Sequence, residues 1–382
     1  NGPERTLLIV GGSLDHLGGL EAFSDRSAQA LAVRGGWRSD RIAASSAYLT
    51  LGRLPAFLRG LLSLARYRRH KPDVVWLQYV NLPDLAYLVL AKLLGMQVMV
   101  TPHLGANWRS QMSPLLRRLS ERALRAADRL ALISQTQELE VNLPTRVPRS
   151  HIRNFLPSEV LEAELPDAGA LPPALQIIHS SRLSEGKGTF LLIEVCALLR
   201  DRGVPFHTRI TGAADDATME RLHQLIRDRK LEDKVSVLGR VPEADLIDHL
   251  RRSDVLVHLS RIDSYPLIVL EAMACSAVPV VMELAGARDM VDTYEGHVVS
   301  TTGAVPETAA WLASCDLADL RRRRAQVAAR VRSDYAWERC AAALDRALRS
   351  CIREEAEPGR AATLLVVPKS SPATRACVDA MS

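Results

Sequence analysis

The sequence predicts a parallel α/β protein in two domains. Over residues 254–282 an apolar run, a polar loop, a helical pattern and a second apolar run follow one another. That is the order of a parallel strand–helix–strand unit. The same alternation starts at Thr6 and starts again at Leu175. The third observation is length: 382 residues exceed what one ordinary core takes.

The totals narrow the class. Hydrophobic residues make up 47% of the chain, and mean hydropathy is close to zero, as in globular proteins. The net charge of +5 suits phosphorylated substrates or an acidic membrane surface and is too mild to argue for nucleic acid. Six cysteines, at 196, 275, 315, 340, 351 and 377, are scattered without a C-x-x-C pair. They suggest neither a disulfide framework nor a zinc site, and a reducing, cytoplasmic setting is expected. No signal peptide is read at the start, and Leu82–Val100, broken by Asp84, Lys92 and Gly95, reads as helix then strand rather than a membrane span.

In chain order, Thr6–Val10 is an expected strand, followed by a loop rich in glycine (Gly11, Gly12, Gly18, Gly19) and a helix to about Val33. Glycines after a first strand permit tight turns and close ligand approach. Leu54–Lys71 is amphipathic and basic, either a solvated helix or a patch meeting anionic lipid. Pro72–Gln78 and Met96–Val100 are expected strands, and His103 stands just past the second, where open sheets bind ligands. A second basic helix over 114–129, a strand over 129–134 and a short helix from Gln135 follow.

The second half restarts with the strand Leu175–Ser180, then Ser181-Arg-Leu-Ser-Glu-Gly-Lys-Gly-Thr189 and a helix to about Arg200. Phe206–Thr211 is a strand ending at Gly212, Asp215 caps a helix, Val235–Leu238 is a strand, and Glu243–Arg252 is a helix. Then come the strand Asp254–Leu259, a helix from about Leu267 and the strand Val278–Met282. Asp263 falls in the loop and Glu271 about one turn into the helix. Two acids beside a helix N-terminus suit a ligand with both hydroxyls and phosphates. The strand Gly296–Val299, helices over 306–312 and 317–332, and a final helix from about Trp337 complete the pattern. Thr363–Pro368 adds a strand-like tail.

The stretch Asp263-Ser-Tyr-Pro-Leu-Ile-Val-Leu-Glu-Ala-Met-Ala-Cys-Ser-Ala-Val-Pro-Val-Val281 resembles the E-x7-E signature of retaining nucleotide-sugar glycosyltransferases of family 4, which have the GT-B fold. Asp263 stands for the usual Glu, and Ser264 and Ser276 stand where Gly is common. Ser181–Thr189 is similar to that family's G-R-L-x-x-x-K-G, with Arg182 and Lys187 at its basic positions. Tyr335–Cys340 matches its S/T-W-E-x-x-A motif.

The resemblance implies two Rossmann-like domains facing a cleft, over 1–158 and 159–335, with residues 336–382 crossing back to the first. It implies retaining transfer of a sugar from a UDP- or GDP-linked donor to a hydroxyl of a glycan or lipid-linked acceptor. The setting is cell-surface polysaccharide or glycolipid assembly, in the cytoplasm and peripherally on an anionic membrane surface. Asp263, Glu271, His103, Arg182 and Lys187 are the implied catalytic residues. The donor is expected against Gly18, Gly19, Arg182, Lys187, Gly212, Val241, Ser264, Tyr265, Pro266, Leu267 and Glu271, and the acceptor near Asn107 and Arg109. No metal or cofactor is implied. The alternatives are a GT-B nucleotide-sugar epimerase and a catalytically weak nucleotide-sugar-binding protein; a dinucleotide dehydrogenase is disfavoured because G-x-G-x-x-G is missing.

Overall fold

A computed structural model describes residues 4–12, 19–46, 49, 51–104, 113–165, 167, 171–263 and 265–352. Gly18, Asn107, Arg109, Ser264 and the tail strand expected over 363–368 lie outside them.

The first unit has strands β1 (Arg5–Val10), β2 (Trp37–Ile42), β3 (Val74–Tyr79), β4 (Val98–Pro102), β5 (Arg129–Leu132) and β6 (Arg149–His151). Its helices are α1 (Gly19–Arg34), α2 (Leu54–Tyr67), α3 (Leu85–Leu93), α4 (Pro114–Leu124), α5 (Gln137–Glu140) and α6 (Ser158–Glu162). The second unit has β7 (Leu175–Ser180), β8 (Phe206–Thr211), β9 (Val235–Gly239), β10 (Val255–His258), β11 (Val278–Met282) and β12 (His297–Val299). Its helices are α7 (Thr189–Asp201), α8 (Asp216–Asp228), α9 (Glu243–Arg251), α10 (Leu267–Ala274), α11 (Ala285–Tyr294), α12 (Ala304–Ser314) and α13 (Leu317–Asp334), and α14 (Trp337–Arg349) closes the described chain.

Each unit is built on one six-stranded sheet, in the orders β2-β1-β3-β4-β5-β6 and β12-β11-β10-β7-β8-β9. The pairings are parallel throughout. Strands sealed on both faces must be apolar nearly throughout; β3, β7 and β11 are buried end to end. β2 and β6 do not follow that rule, and the sequence pattern missed both. β2 is Trp-Arg-Ser-Asp-Arg-Ile, an edge strand with one fully buried residue, and β6 is a three-residue edge strand.

The order in which strands are added across the sheet reverses between β1 and β3 in the first sheet and between β7 and β10 in the second. Open parallel sheets bind ligands beyond the strand ends at such reversals. The expected two Rossmann-like units are therefore present, and both loops singled out in the second half leave reversal strands.

One hydrophobic cluster runs between the units, joining Phe23, Leu31 and Trp76 to Leu256, Val269 and Met273 and on to Leu344 and Leu348. As expected, α14 crosses back and packs on α1. Trp37 donates its indole N–H to Asp345 at 2.7 Å, and Trp337 donates to the Leu156 carbonyl at 2.8 Å. Among the described residues no helix is long and apolar enough to cross a membrane.

Candidate active site

The loop after β7 is held at both ends by one buried histidine. His179 donates from Nδ1 to the Val257 carbonyl at 2.9 Å. Its Nε2 is left to accept from Thr189 Oγ1 at 3.1 Å and Ser181 Oγ at 3.0 Å. Burial lowers its pKa to about 4, so the neutral ring keeps these roles at pH 7. Arg182 and Lys187 lie between the two tethered hydroxyl residues. Gly188 brings this loop onto the end of β10: its φ is +78°, and a Cβ there would lie 2.3 Å from the Leu259 carbonyl oxygen. No other residue fits.

The loop after β10 carries Asp263, and α10 begins behind Pro266. Helix geometry leaves the Leu267 and Ile268 amides without partners inside the helix; Val269 donates to the Pro266 carbonyl at 3.0 Å. The two loops, α10 and Leu246 of α9 enclose a cavity of about 530 Å³. Its walls include Arg182, Lys187, Asp263, Leu267 and Glu271, five of the sequence-predicted residues.

Within it Lys187 forms an ion pair with Asp263, whose other oxygen accepts from His258 Nε2 at 2.8 Å. Burial alone would raise the Asp263 pKa. The hydrogen bond and charge of His258 and the charge of Lys187 outweigh it and hold the carboxyl well below the usual range. Arg182 is exposed, with no ion pair among the described residues. Glu271 has the opposite environment. Burial raises its pKa to about 7; Arg26 pulls it down and Glu243 pushes it up. Arg26 belongs to α1 and bonds Glu243 of α9 at 2.8 Å, so a contact between the two units flanks this carboxylate.

Other sequence-predicted residues lie outside these walls. His103 donates from Nε2 to Gln78 at 2.7 Å and packs edge-on to Phe23, with its pKa lowered to about 4 by burial. Gly212 packs on the other loop instead: a Cβ there would sit 1.7 Å from the Ser181 carbonyl oxygen. It shapes the Arg182 loop through backbone contact. Val241 is half-buried away from the cavity, and Gly19 has open space around its missing Cβ. Pro266 has no N–H to offer a ligand. The Tyr265 side chain turns the other way and bonds Tyr335 at 2.7 Å.

His258 and His179 were missed in the sequence. Each sits inside an apolar strand pattern and reads there as a core residue. Both are buried, and their rings stack at 6.4 Å. No cluster of three or more metal-ligating His, Cys, Asp or Glu side chains occurs among the described residues.

The family of glycosyl transferases group 1 matches residues 166–329, and the glycosyl transferase 4-like domain matches residues 15–154. The chain is a GT-B glycosyltransferase of the family 4 type. This glycosyltransferase is 26% identical over 257 residues to the D-inositol 3-phosphate glycosyltransferase of Pseudarthrobacter chlorophenolicus, covering 61% of each chain. It is 34% identical over 125 residues to the putative colanic acid biosynthesis glycosyltransferase WcaL of Escherichia coli K12, covering 31% of this chain and 30% of that one. The matched segments thus span under two thirds of these relatives. In shape it is similar to Anabaena HepE, solved in complex with UDP and glucose, with a TM-score of 0.71 and 17% identity over 91% of this chain and 100% of that one.

Proposed function

We propose that this glycosyltransferase moves a sugar from a nucleoside diphosphate sugar to a hydroxyl acceptor with retention at the anomeric carbon, in cell-surface polysaccharide or glycolipid assembly. The carrying observation is the cavity at the second sheet's reversal point, where two cations, two carboxylates and a helix N-terminus meet. Residues 159–335 act as the donor side, 1–158 as the acceptor side, and 336–382 as the crossover. UDP or GDP is the nucleotide of choice; the crystallised relative HepE was solved with UDP and glucose.

Bond breaking builds positive charge on the sugar and negative charge on the departing phosphate. Arg182, Lys187 and the Leu267 and Ile268 amides face that phosphate. Fixed charges and dipoles of this kind are usually the largest catalytic contribution. To reach the diphosphate, Lys187 leaves Asp263, which keeps its bond to His258 and turns its freed oxygen to a sugar hydroxyl. Glu271 holds the ribose. His103, neutral and fixed by Gln78, approaches the sugar from the first unit, together with Gly18 and Gly19, while Asn107 and Arg109 meet the acceptor. The departing phosphate takes the acceptor proton on the same face, which accounts for retention without a covalent nucleophile.

The test is a thermal-shift screen of UDP, GDP and ADP sugars, followed by a transfer assay that reads the anomeric configuration of the product. Stabilisation by one nucleotide class and a retained configuration are expected. Absence of any nucleotide-dependent shift refutes the donor site, and an inverted product refutes the same-face mechanism.

The acceptor side carries a surface fitted to an anionic bilayer. Leu54, Leu58 and Leu62 of α2, Val89 and Leu93 of α3, and Leu115, Leu116 and Leu119 of α4 are exposed. α3 packs beside both α2 and α4, which brings the three helices that carry these side chains together. Arg59, Arg66, Arg118 and Arg122 stand exposed among them. Apolar side chains fringed by arginines match a lipid surface in both hydrophobicity and charge. Co-sedimentation with phosphatidylglycerol vesicles but not with phosphatidylcholine vesicles is expected; equal binding to both removes this contact.

A further inference from the structure

A second cavity, of about 440 Å³, lies where the two units and the returning chain meet. It is separate in its walls from the donor cavity, but it shares the segment leading into α10: Tyr265 lines it two residues after Asp263. Three of the seven tyrosines in the chain converge here. Tyr265 and Tyr335 join hydroxyls at 2.7 Å, and Tyr294 donates to Asp334 at 2.9 Å.

Two guanidinium groups also reach it. Arg153 is anchored through Nη1 to the Asp334 carbonyl at 2.9 Å, pairs through the same nitrogen with the Asp334 carboxylate at 3.6 Å, and lies 5.5 Å from the Tyr335 ring centroid. Both of these contacts use Nη1, which leaves Nε and Nη2 to face a ligand. Arg346 is exposed and forms no ion pair among the described residues. Asp289 adds a carboxyl group to the walls.

Free guanidinium N–H groups recognise phosphate, and phenol hydroxyls with one carboxyl recognise sugar hydroxyls. The volume is that of a small-molecule pocket and far exceeds the needs of a bare anion. We propose that this cavity is a second ligand site for a phosphorylated monosaccharide, and that its occupancy is felt at the donor loop through Tyr265. The coupling rests on the donor reading above; the binding itself does not.

The route is short and covalent. A ligand bonding the Tyr265 hydroxyl competes with Tyr335 for it, and any movement of Tyr265 moves the backbone between Asp263 and the first turn of α10. Coupling of this kind is reciprocal, so the sugar phosphate and the nucleotide must alter each other's affinity by one common factor.

Calorimetric titration of the full chain with glucose 6-phosphate, with and without saturating UDP, tests both parts. Binding that survives UDP, weakens at least ~10-fold in Arg346→Glu, and is at least ~10-fold weaker for glucose supports the site, since a lost charge-assisted bond has that scale. Arg346 is exposed, so the variant is expected to fold, and its melting temperature checks this. No binding at 10 mM probe (about the weakest useful range), full displacement by UDP, or an unchanged affinity in the variant overturns it. A UDP affinity that shifts with glucose 6-phosphate in the wild type but not in Tyr265→Phe supports the coupling; the same UDP affinity with and without the probe overturns it. Failure of UDP to bind at all strikes the donor reading and the coupling, while the titration without UDP still decides the cavity.

Discussion

Glu271 and Asp263 are carboxylates on opposite sides of neutrality in their surroundings. Asp263 is held ionised by His258 and Lys187, whereas Glu271 is pushed by burial from 4.5 to about 7. The sign follows from linkage: the folded pKa lies above the unfolded one, so Glu271 contributes stability that is fully present below pH 4.5 and is lost as pH rises through about 7. Melting temperatures of wild type and Glu271→Gln, compared at pH 5 and pH 8 (~1 unit or more from the shifted value), check this. The wild type is expected to lose more stability between them than the variant; parallel curves would sink the assignment. In catalysis, Glu271→Ala or Lys187→Ala is expected to lower transfer at least ~100-fold, the scale of one preorganised charge contact. Ser276 gives a third residue-level prediction. It adopts φ +70°, a conformation costly for any residue with a Cβ, and its buried hydroxyl has no hydrogen-bond partner. Ser276→Gly is therefore expected to raise stability by about 1 kcal/mol, read as an upward shift of the denaturant midpoint.

At the scale of elements, α13 is fastened to the second sheet by a buried charge. Asp254, at the head of β10, accepts from Arg321 at 2.8 and 2.9 Å and from the Gln176 amide at 2.9 Å. Arg324 lies 3.8 Å away, and the Asp254 side chain is fully buried. Asp254→Ala would leave two guanidinium groups without their anion and is expected to cost about 3–5 kcal/mol in chemical denaturation. A loss under ~1 kcal/mol, the scale of an exposed pair, would refute it. Strands were most legible where burial on both faces forces an apolar run: Leu175–Ser180, buried end to end, was read to the residue, and so was Phe206–Thr211, although His207 and Arg209 leave it half-exposed at alternate positions. β2 and β6 escaped because an edge strand needs no such run. The two cations and two carboxylates were legible from spacing and resemblance. His258 was not, because its role depends on a loop that folds back five residues later. Tyr265 and Gly212 show the converse limit: a motif gives a residue's place in the chain but not which side of a loop its side chain or backbone serves.

For the molecule as a whole, the two units share a hydrophobic cluster and, among the described residues, exposed ion pairs that include Arg153 with Asp334 and Arg26 with Glu243, the latter beside Glu271. A partly exposed bridge contributes little to stability. Its consequence is kinetic access to the cleft, and Glu243→Ala is expected to alter the donor KM while shifting the melting temperature by less than ~2 °C, the scale of a sub-kcal/mol change in a chain of this size. An unchanged KM would remove the bridge from the donor's path.

The returning helix α14 has a further effect on how the protein is made. Ala30 and Leu31 of α1 belong to one hydrophobic cluster with Leu344 and Leu348 of α14, which packs on α1. During vectorial synthesis the ribosome releases every strand of the first sheet long before that cover exists, because the whole second sheet is made in between. The earlier half must wait with an apolar groove open to solvent, so nascent chains are most exposed to chaperones and proteases until Trp37 finds Asp345.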